Sequence, residues 1–271
     1  MAIKKMLNLK NPGLLRNQSY INGQWVDSDS GEILEVRAAA TDEVITRIAS
    51  LGADETRRAI ESAEAAMPAW ADKSAQERAN ILRKWCNLIL AHIDDLAQIL
   101  TLEQGKPLAE AKDEIIYGAH CIEWFAEEAK RIYGDVIPNP SNGQRLVATK
   151  RPVGVVAAMT AWNLPNAAIS RKAGPALAAG CTFVGKPATE TSLSALALAV
   201  LAEEAGIPAG VFNLVCGKYS RAIGDEMISN PMVRKLAFSG FGREGSNYGI
   251  EDYVEIKYLC LGGIDKELTI A

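Results

Sequence analysis

Histidine is nearly absent from this chain: His92 and His120 are the two it has in 271 residues, and both fall inside helical patterns. That leaves no basis for a His-based metal centre or catalytic triad. The five cysteines, Cys86, Cys121, Cys181, Cys216 and Cys260, are odd in number, widely spaced and free of any Cys-x-x-Cys pair. Such spacing argues against a disulfide framework or zinc site and fits a reducing cytoplasm. There is no basic excess either, since the net charge is −4 with 23% charged residues, so nucleic acid is not an expected partner. No apolar run is long enough to span a bilayer. The most apolar stretch, Leu193–Ala202, is closed by Glu203-Glu204 and reads as a buried helix. The N-terminal "MAIKKMLNLKNPG" lacks the continuous apolar segment of a signal peptide. Repeats and low-complexity tracts are missing too, which removes the usual marks of an interaction scaffold.

What remains is an ordinary globular composition, 48% hydrophobic, in a chain long enough for one or two domains. Residues 20–50 read as short strands, with Asn22-Gly23 as a hairpin turn. Three helical patterns follow. The first is capped by Asp54 and runs to Trp70; the second is capped by Ser74 and runs to Glu103, ended by the Gly-Pro of "EQGKP"; the third covers Leu108–Ile132. A hairpin around Asn142-Gly143 comes next. From Pro152 strands and helices alternate: strand Val153–Thr160, helix Pro165–Ala179, strand Thr182–Lys186, helix Thr191–Ala205, strand Val211–Val215, helix Ser220–Ser229, strand Lys235–Phe238. Successive βα units imply a parallel sheet with helices on its faces and ligands at the carboxyl ends of its strands.

The loops at those ends carry the candidate chemistry. In "TAWNLPN", Asn163 stands at a helix entrance, where its amide either stabilises an oxyanion or caps the helix. In "GKPATETS", Lys186 either reaches a ribose or phosphate or snorkels from the sheet edge. Gly217 allows a ligand close to the backbone or makes a tight turn. A literal Gly-x-Gly-x-x-Gly, formed by Gly240, Gly242 and Gly245, follows the last strand. A dinucleotide loop should open an amphipathic helix. Here Val254, Ile256, Tyr258 and Cys260 alternate with Glu255, Lys257 and Leu259, which is the period of a strand.

"EQGKPLAEA", "RKAGPALAAGCTFVGKPA", "ALALAVLAEEAGIPAGVFNLV" and "GREGSNYGIEDYVEIKY" together resemble the aldehyde dehydrogenase superfamily, most closely its NAD(P)-dependent succinate-semialdehyde dehydrogenases. "VRAAATDEVI" departs from the family's usual Asn-Pro turn. The resemblance implies an α/β fold: a truncated Rossmann-like cofactor domain, helices on both faces of its parallel sheet, and a small β oligomerisation element. It divides the chain into N-terminal strands and helices (1–135), an oligomerisation hairpin (136–152), a cofactor-binding core (153–240) and a C-terminal oligomerisation strand with its tail (241–271). It implies that Asn163 is the oxyanion amide, and that Trp162, Lys186, Ala188, Thr189, Gly217 and Gly240 line the cofactor cleft. Thr189 stands where NAD-preferring relatives place a Glu. A hydroxyl there tolerates a 2′-phosphate, so NADP is expected over NAD. Arg171 is suited to a substrate's distal carboxylate or to a surface salt bridge.

The family's chemistry uses a cysteine thiolate to attack the aldehyde, hydride transfer to the nicotinamide, and a glutamate that activates water. Its Gly-Gln-x-Cys and Glu-Leu-Gly-Gly segments are both absent from this sequence. "VRKLAFSG" resembles the strand before the family's phosphate-side loop, and "SGFGREGSNYGIEDYVEIKY" resembles the family's C-terminus, so the sequence jumps from one to the other near residue 240. Three functions stay open: an aldehyde-oxidising enzyme, a non-catalytic remnant that binds NADP or self-associates, and a deletion product with no native role.

Overall fold

Asn22 and Gly23 reverse the chain with φ of 52° and 72°, the doubly positive pair that matches the twist of a two-residue hairpin. They join β1 (Ser19–Ile21) to β2 (Gln24–Val26), as the sequence predicts. This computed structural model describes residues 7–138, 144–238 and 249–262. The Asn142-Gly143 turn and all three glycines of the Gly240–Gly245 motif lie outside the described residues.

A second pair, β3 (Ile33–Arg37) and β4 (Val44–Ala49), leads into α1 (Ala53–Ala71). The expected cap at Asp54 is not the one found. Gly52 is the N-cap, and the carboxylate of Glu55 accepts its N–H at 2.9 Å while also accepting that of Asp29 at 3.0 Å. Ser74 caps α2 (Ala75–Ala91) in a capping box with Glu77, as expected. The single helix expected to reach Glu103 is two: His92 leaves helical geometry (φ −103°, ψ 16°) and α3 (Ile93–Gln104) starts after it. This break directs the buried Asp95 to the N-terminal segment, where it accepts the N–H groups of Lys10 and Asn11 at 2.9 and 2.7 Å. Periodicity continues through such a bend because the buried stripe does. After the left-handed Gly105, α4 (Leu108–Glu128) follows, extended by a 3₁₀ turn at Ala129–Arg131.

The remaining elements fall close to their predicted ranges. They are β5 (Asp135–Ile137), β6 (Gln144–Pro152), β7 (Val155–Met159), α5 (Pro165–Ala179), β8 (Thr182–Lys186), α6 (Ser192–Ala205), β9 (Phe212–Leu214), α7 (Ser220–Ser229), β10 (Val233–Phe238) and β11 (Val254–Gly262). The principal sheet has the order β10-β7-β8-β9-β1-β2. Its first four strands are parallel, and β1 adds antiparallel to β9. Val155, Ala157, Val184 and Val215 pack towards α1 and α7, while Val156, Ala158 and Phe183 join the larger cluster with α2 to α6. Helices therefore cover both faces, as expected of a Rossmann-like sheet. The chain runs β7, β8, β9 in one direction and then crosses to place β10 on the far side of β7. That reversal puts the topological switch point between β7 and β10, and ligands in such sheets usually sit at the carboxyl ends of the strands there.

The three-stranded sheet β11-β6-β5 is completed within the chain, with β11 antiparallel to β6 from Val254↔Pro152 to Gly262↔Gln144. Its entry is held by Tyr253, which is 4% exposed. The Tyr253 carbonyl accepts Val153 N–H at 3.0 Å and Cys181 Sγ at 3.2 Å, and Lys235 Nζ lies 4.7 Å from its ring centroid. Lys235 also pairs with Asp252 at 3.3 Å. Replacing Tyr253 by Ala keeps the carbonyl bonds but removes the buried ring and its contact with Lys235, at a cost of roughly 3 kcal/mol. Hydrogen exchange should then become fast at the amides of Val254–Leu259 while those of β7 and β8 stay protected; uniform loss of protection would mean that Tyr253 supports the whole fold instead.

Candidate functional site: a cofactor crevice at the strand ends

The loop after β7 carries Trp162, 58% exposed, and Asn163, also exposed. Asn163 does not cap α5. The N-cap is Leu164, which has no side-chain acceptor to offer, and Pro165 stands at the first turn. The cap comes from another helix. Glu114 of α4, buried, accepts Asn166 N–H at 2.9 Å and Ala167 N–H at 3.1 Å through Oε1. Its Oε2 pairs with Lys106 Nζ at 2.5 Å, and that same ammonium donates to the carbonyl of Asn163 at 3.2 Å. The amide of Asn163 is thus not spent on capping.

The loop after β8 is built the same way. Thr191, the N-cap of α6, makes no side-chain cap bond. Glu103, from the last turn of α3, accepts Leu193 N–H and Ser194 N–H, both at 2.8 Å. Burial pushes the Glu103 carboxyl up to about 7, against the lowering effect of those hydrogen bonds. Lys186 does not snorkel to solvent. It is 3% exposed, its Nζ donates to the Pro187 carbonyl at 3.1 Å, and burial lowers its pKa. Next to it, Thr160 N–H donates to the Lys186 carbonyl at 3.0 Å, and Thr160 Oγ1 is buried without a hydrogen-bond partner.

Thr189 Oγ1 donates to the carbonyl of Gly217 at 3.3 Å, which links the loops after β8 and β9, with Ala188 immediately before it. A Cβ at Gly217 would lie 2.2 Å from the Leu51 carbonyl oxygen, so backbone packing alone demands a glycine there. Arg171 lies further along α5 with its guanidinium 5.8 Å from the Tyr117 ring. A cleft of about 840 Å³ opens elsewhere, between the α1–α2 corner and the β6–β11 sheet, and contains none of these residues.

Glu103, Lys106 and Glu114 escaped the sequence reading, although a signal was present. Glu114 falls on the apolar stripe of Ala111, Ile115 and Gly118, and Glu103 continues that of Leu96, Ile99 and Leu100. A carboxylate on a buried stripe needs a partner. Among the described thiols, Cys86, Cys181 and Cys216 are buried and pushed up to about 11 by that burial, while Cys121 is half-buried. The side chain of Cys260 is outside the description. Among the described residues no group of three or more His, Cys, Asp or Glu is placed to hold a metal, and no helix is long and apolar enough to cross a membrane.

Comparison with known proteins places this fold. The profile of the aldehyde dehydrogenase family matches residues 25–240. The chain belongs to that family. It is 54% identical over 255 residues to a glutarate-semialdehyde dehydrogenase of Pseudomonas aeruginosa, covering 94% of this chain and 53% of that protein. Against a succinate-semialdehyde dehydrogenase (NADP+) of Escherichia coli it is 54% identical over 260 residues, covering 95% of this chain and 54% of that one. A solved succinate-semialdehyde dehydrogenase from Burkholderia pseudomallei superposes with a TM-score of 0.83 at 56% identity, covering 85% of this chain and 48% of the other. The chain spans about half the length of the relatives it matches.

The Glu103 geometry has a measurable consequence. A carboxyl whose folded pKa is raised favours folding below its unfolded value, and that contribution is lost as pH rises through the folded pKa. Between pH 5 and 8 the native chain should therefore lose stability on the order of 2–3 kcal/mol from this group. Chemical denaturation of Glu103→Gln across that range should show a flatter profile than the parent; identical profiles would remove Glu103 as the source.

Proposed function

We propose that this chain is the cofactor-side half of a semialdehyde dehydrogenase fold, which binds NADP and does not oxidise aldehydes by itself. The placement of the thiols carries this. The family's attack needs an activated thiolate at the crevice. The three cysteines with raised pKa values are sealed in the core, and the sequence holds no Gly-Gln-x-Cys or Glu-Leu-Gly-Gly segment. That the family profile stops matching at residue 240, where the sequence changes character, supports the absence of an internal block.

The residues present fit a dinucleotide. Lys186 is a buried cation whose hydrogen bond goes to a backbone carbonyl, and Thr160 Oγ1 beside it is unsatisfied. Both suit ribose hydroxyls. Thr189 offers a hydroxyl, where a carboxylate would repel a 2′-phosphate, and Trp162 and Asn163 flank the crevice. When bound, the nicotinamide supplies a hydride acceptor. Arg171 sits on the helix leading away from Asn163 and suits an aldehyde with a distal anion, the substrate type named for the succinate- and glutarate-semialdehyde relatives. The helix starts after β7 and β8 are already filled by carboxylates, so the dinucleotide's phosphates belong on the β10 side of the crevice.

The β11-β6-β5 sheet supports self-association as well, because Val136 and Ile256 are each 73% exposed and Tyr258 is 57% exposed. Purified chain given succinic semialdehyde and NADP+ should form no NADPH above a protein-free blank, whereas robust protein-dependent turnover would overturn the proposal. Calorimetry should show NADP+ bound more tightly than NAD+, and Thr189→Glu should weaken NADP+ about tenfold or more while sparing NAD+. Light scattering should give a mass above the monomer that Ile256→Lys reduces.

A further inference from the structure

The turn Glu103-Gln104-Gly105-Lys106-Pro107, between α3 and α4, touches both cofactor loops at once. Glu103, at its start, holds the first N–H groups of α6, just beyond Thr189. Lys106, near its end, reaches the opposite way, to the carbonyl of Asn163 and to Glu114. The turn is tied by local hydrogen bonds. Gly105 adopts φ of 88°, Gly105 N–H donates to the Thr101 carbonyl at 2.9 Å, and Gln104 Oε1 accepts Lys106 N–H at 3.0 Å. A Cβ at Gly105 would come within 3.2 Å of the Ala39 side chain, so both this contact and the left-handed φ favour glycine there.

We propose that this turn is the positioning element of the cofactor crevice, with Lys106 setting the orientation of the Trp162-Asn163 loop. The proposal rests on the crevice being the NADP site. Lys106 itself is not a contact of the cofactor in this scheme. Its side chain is 12% exposed and Glu114 is nearly buried, so the pair is shielded from screening. The 3.2 Å bond fixes the carbonyl of Asn163, and with it the Asn163–Leu164 peptide unit to which the Asn163 side chain is attached, one residue from Trp162. Glu114 adds the second point of attachment through Asn166 and Ala167 N–H, in the first turn of α5. A loop otherwise exposed at Trp162 and Asn163 is thereby pre-organised, and pre-organisation lowers the cost of binding.

Lys106→Met keeps the aliphatic bulk and removes both bonds of the ammonium. Glu114 retains its two backbone donors, so the α5 cap survives. Two readouts test the idea: hydrogen exchange over residues 160–168, and NADP+ affinity by calorimetry. The expected result is exchange about tenfold faster at the hydrogen-bonded amides flanking the loop, Thr160 and Ala168, with α5 beyond its first turn still protected. NADP+ should bind about tenfold more weakly, and Lys106→Arg should restore most of both. Lys106→Gln gives the same readout should the Met variant fail to fold. Unchanged exchange at Thr160 and Ala168 would overturn the proposal, as would weaker binding without faster exchange, since Lys106 would then act through charge. Absence of NADP+ binding by the parent chain would instead overturn the cofactor reading, while the exchange measurement would still decide the clamp.

Discussion

Two buried carboxylates hold this structure in its working form. Helices α5 and α6 start at the carboxyl ends of β7 and β8, and neither N-cap residue supplies a side-chain acceptor. Helix starts leave N–H groups unpaired and carry positive potential. Glu114 and Glu103 meet that need from α4 and α3, each accepting two N–H groups. A carboxylate in an apolar layer is costly alone, and so is a buried helix start. Each satisfies the other. The helical layer before β5 and the parallel sheet after β6 are therefore bound into one unit, and the buried cluster runs accordingly from Leu14 to Tyr253.

The same arrangement decides what the crevice can do. A dinucleotide fold usually offers a helix N-terminus to the phosphates. Here two such positions are occupied from within the chain, which frees the loops to present side chains: Asn163 and Trp162 after β7, Lys186 and Thr189 after β8. The strand order places the loop after β7 at the switch point between β7 and β10 and the loop after β8 one strand further along. Under the proposed function, those side chains hold the cofactor while Cys86, Cys181 and Cys216 stay buried in the core.

Much of this architecture was legible in the sequence where local chemistry decides it. Gly105, Gly180 and Gly206 end their helices in the left-handed conformation, and Pro165 opens α5. The apolar runs of β7 and β8 read as buried parallel strands because they are covered on both faces. The failures came where a distant partner overrides a local signal. Gly52, not Asp54, is the N-cap of α1, and the Glu55 carboxylate that accepts its N–H also ties in the distant Asp29. His92 breaks a continuous periodic stretch so that Asp95 can reach Lys10 and Asn11. Asn163, well placed to cap, is relieved of that task by Glu114. The Gly240-x-Gly242-x-x-Gly245 pattern lies outside the described residues; beyond it residues 249–250 are helical, a 3₁₀ turn covers Glu251–Tyr253, and the strand β11 follows.

A crystal structure of the chain grown with NADP+ would test most directly whether the crevice is a preassembled cofactor site. The prediction is density for the dinucleotide across the carboxyl ends of the sheet, with a ribose at Lys186 and the phosphates on the β10 side, and with Glu103 and Glu114 still bonded to α6 and α5. Density at the helix N-termini with those carboxylates displaced, or none in the crevice at saturating NADP+, would contradict it.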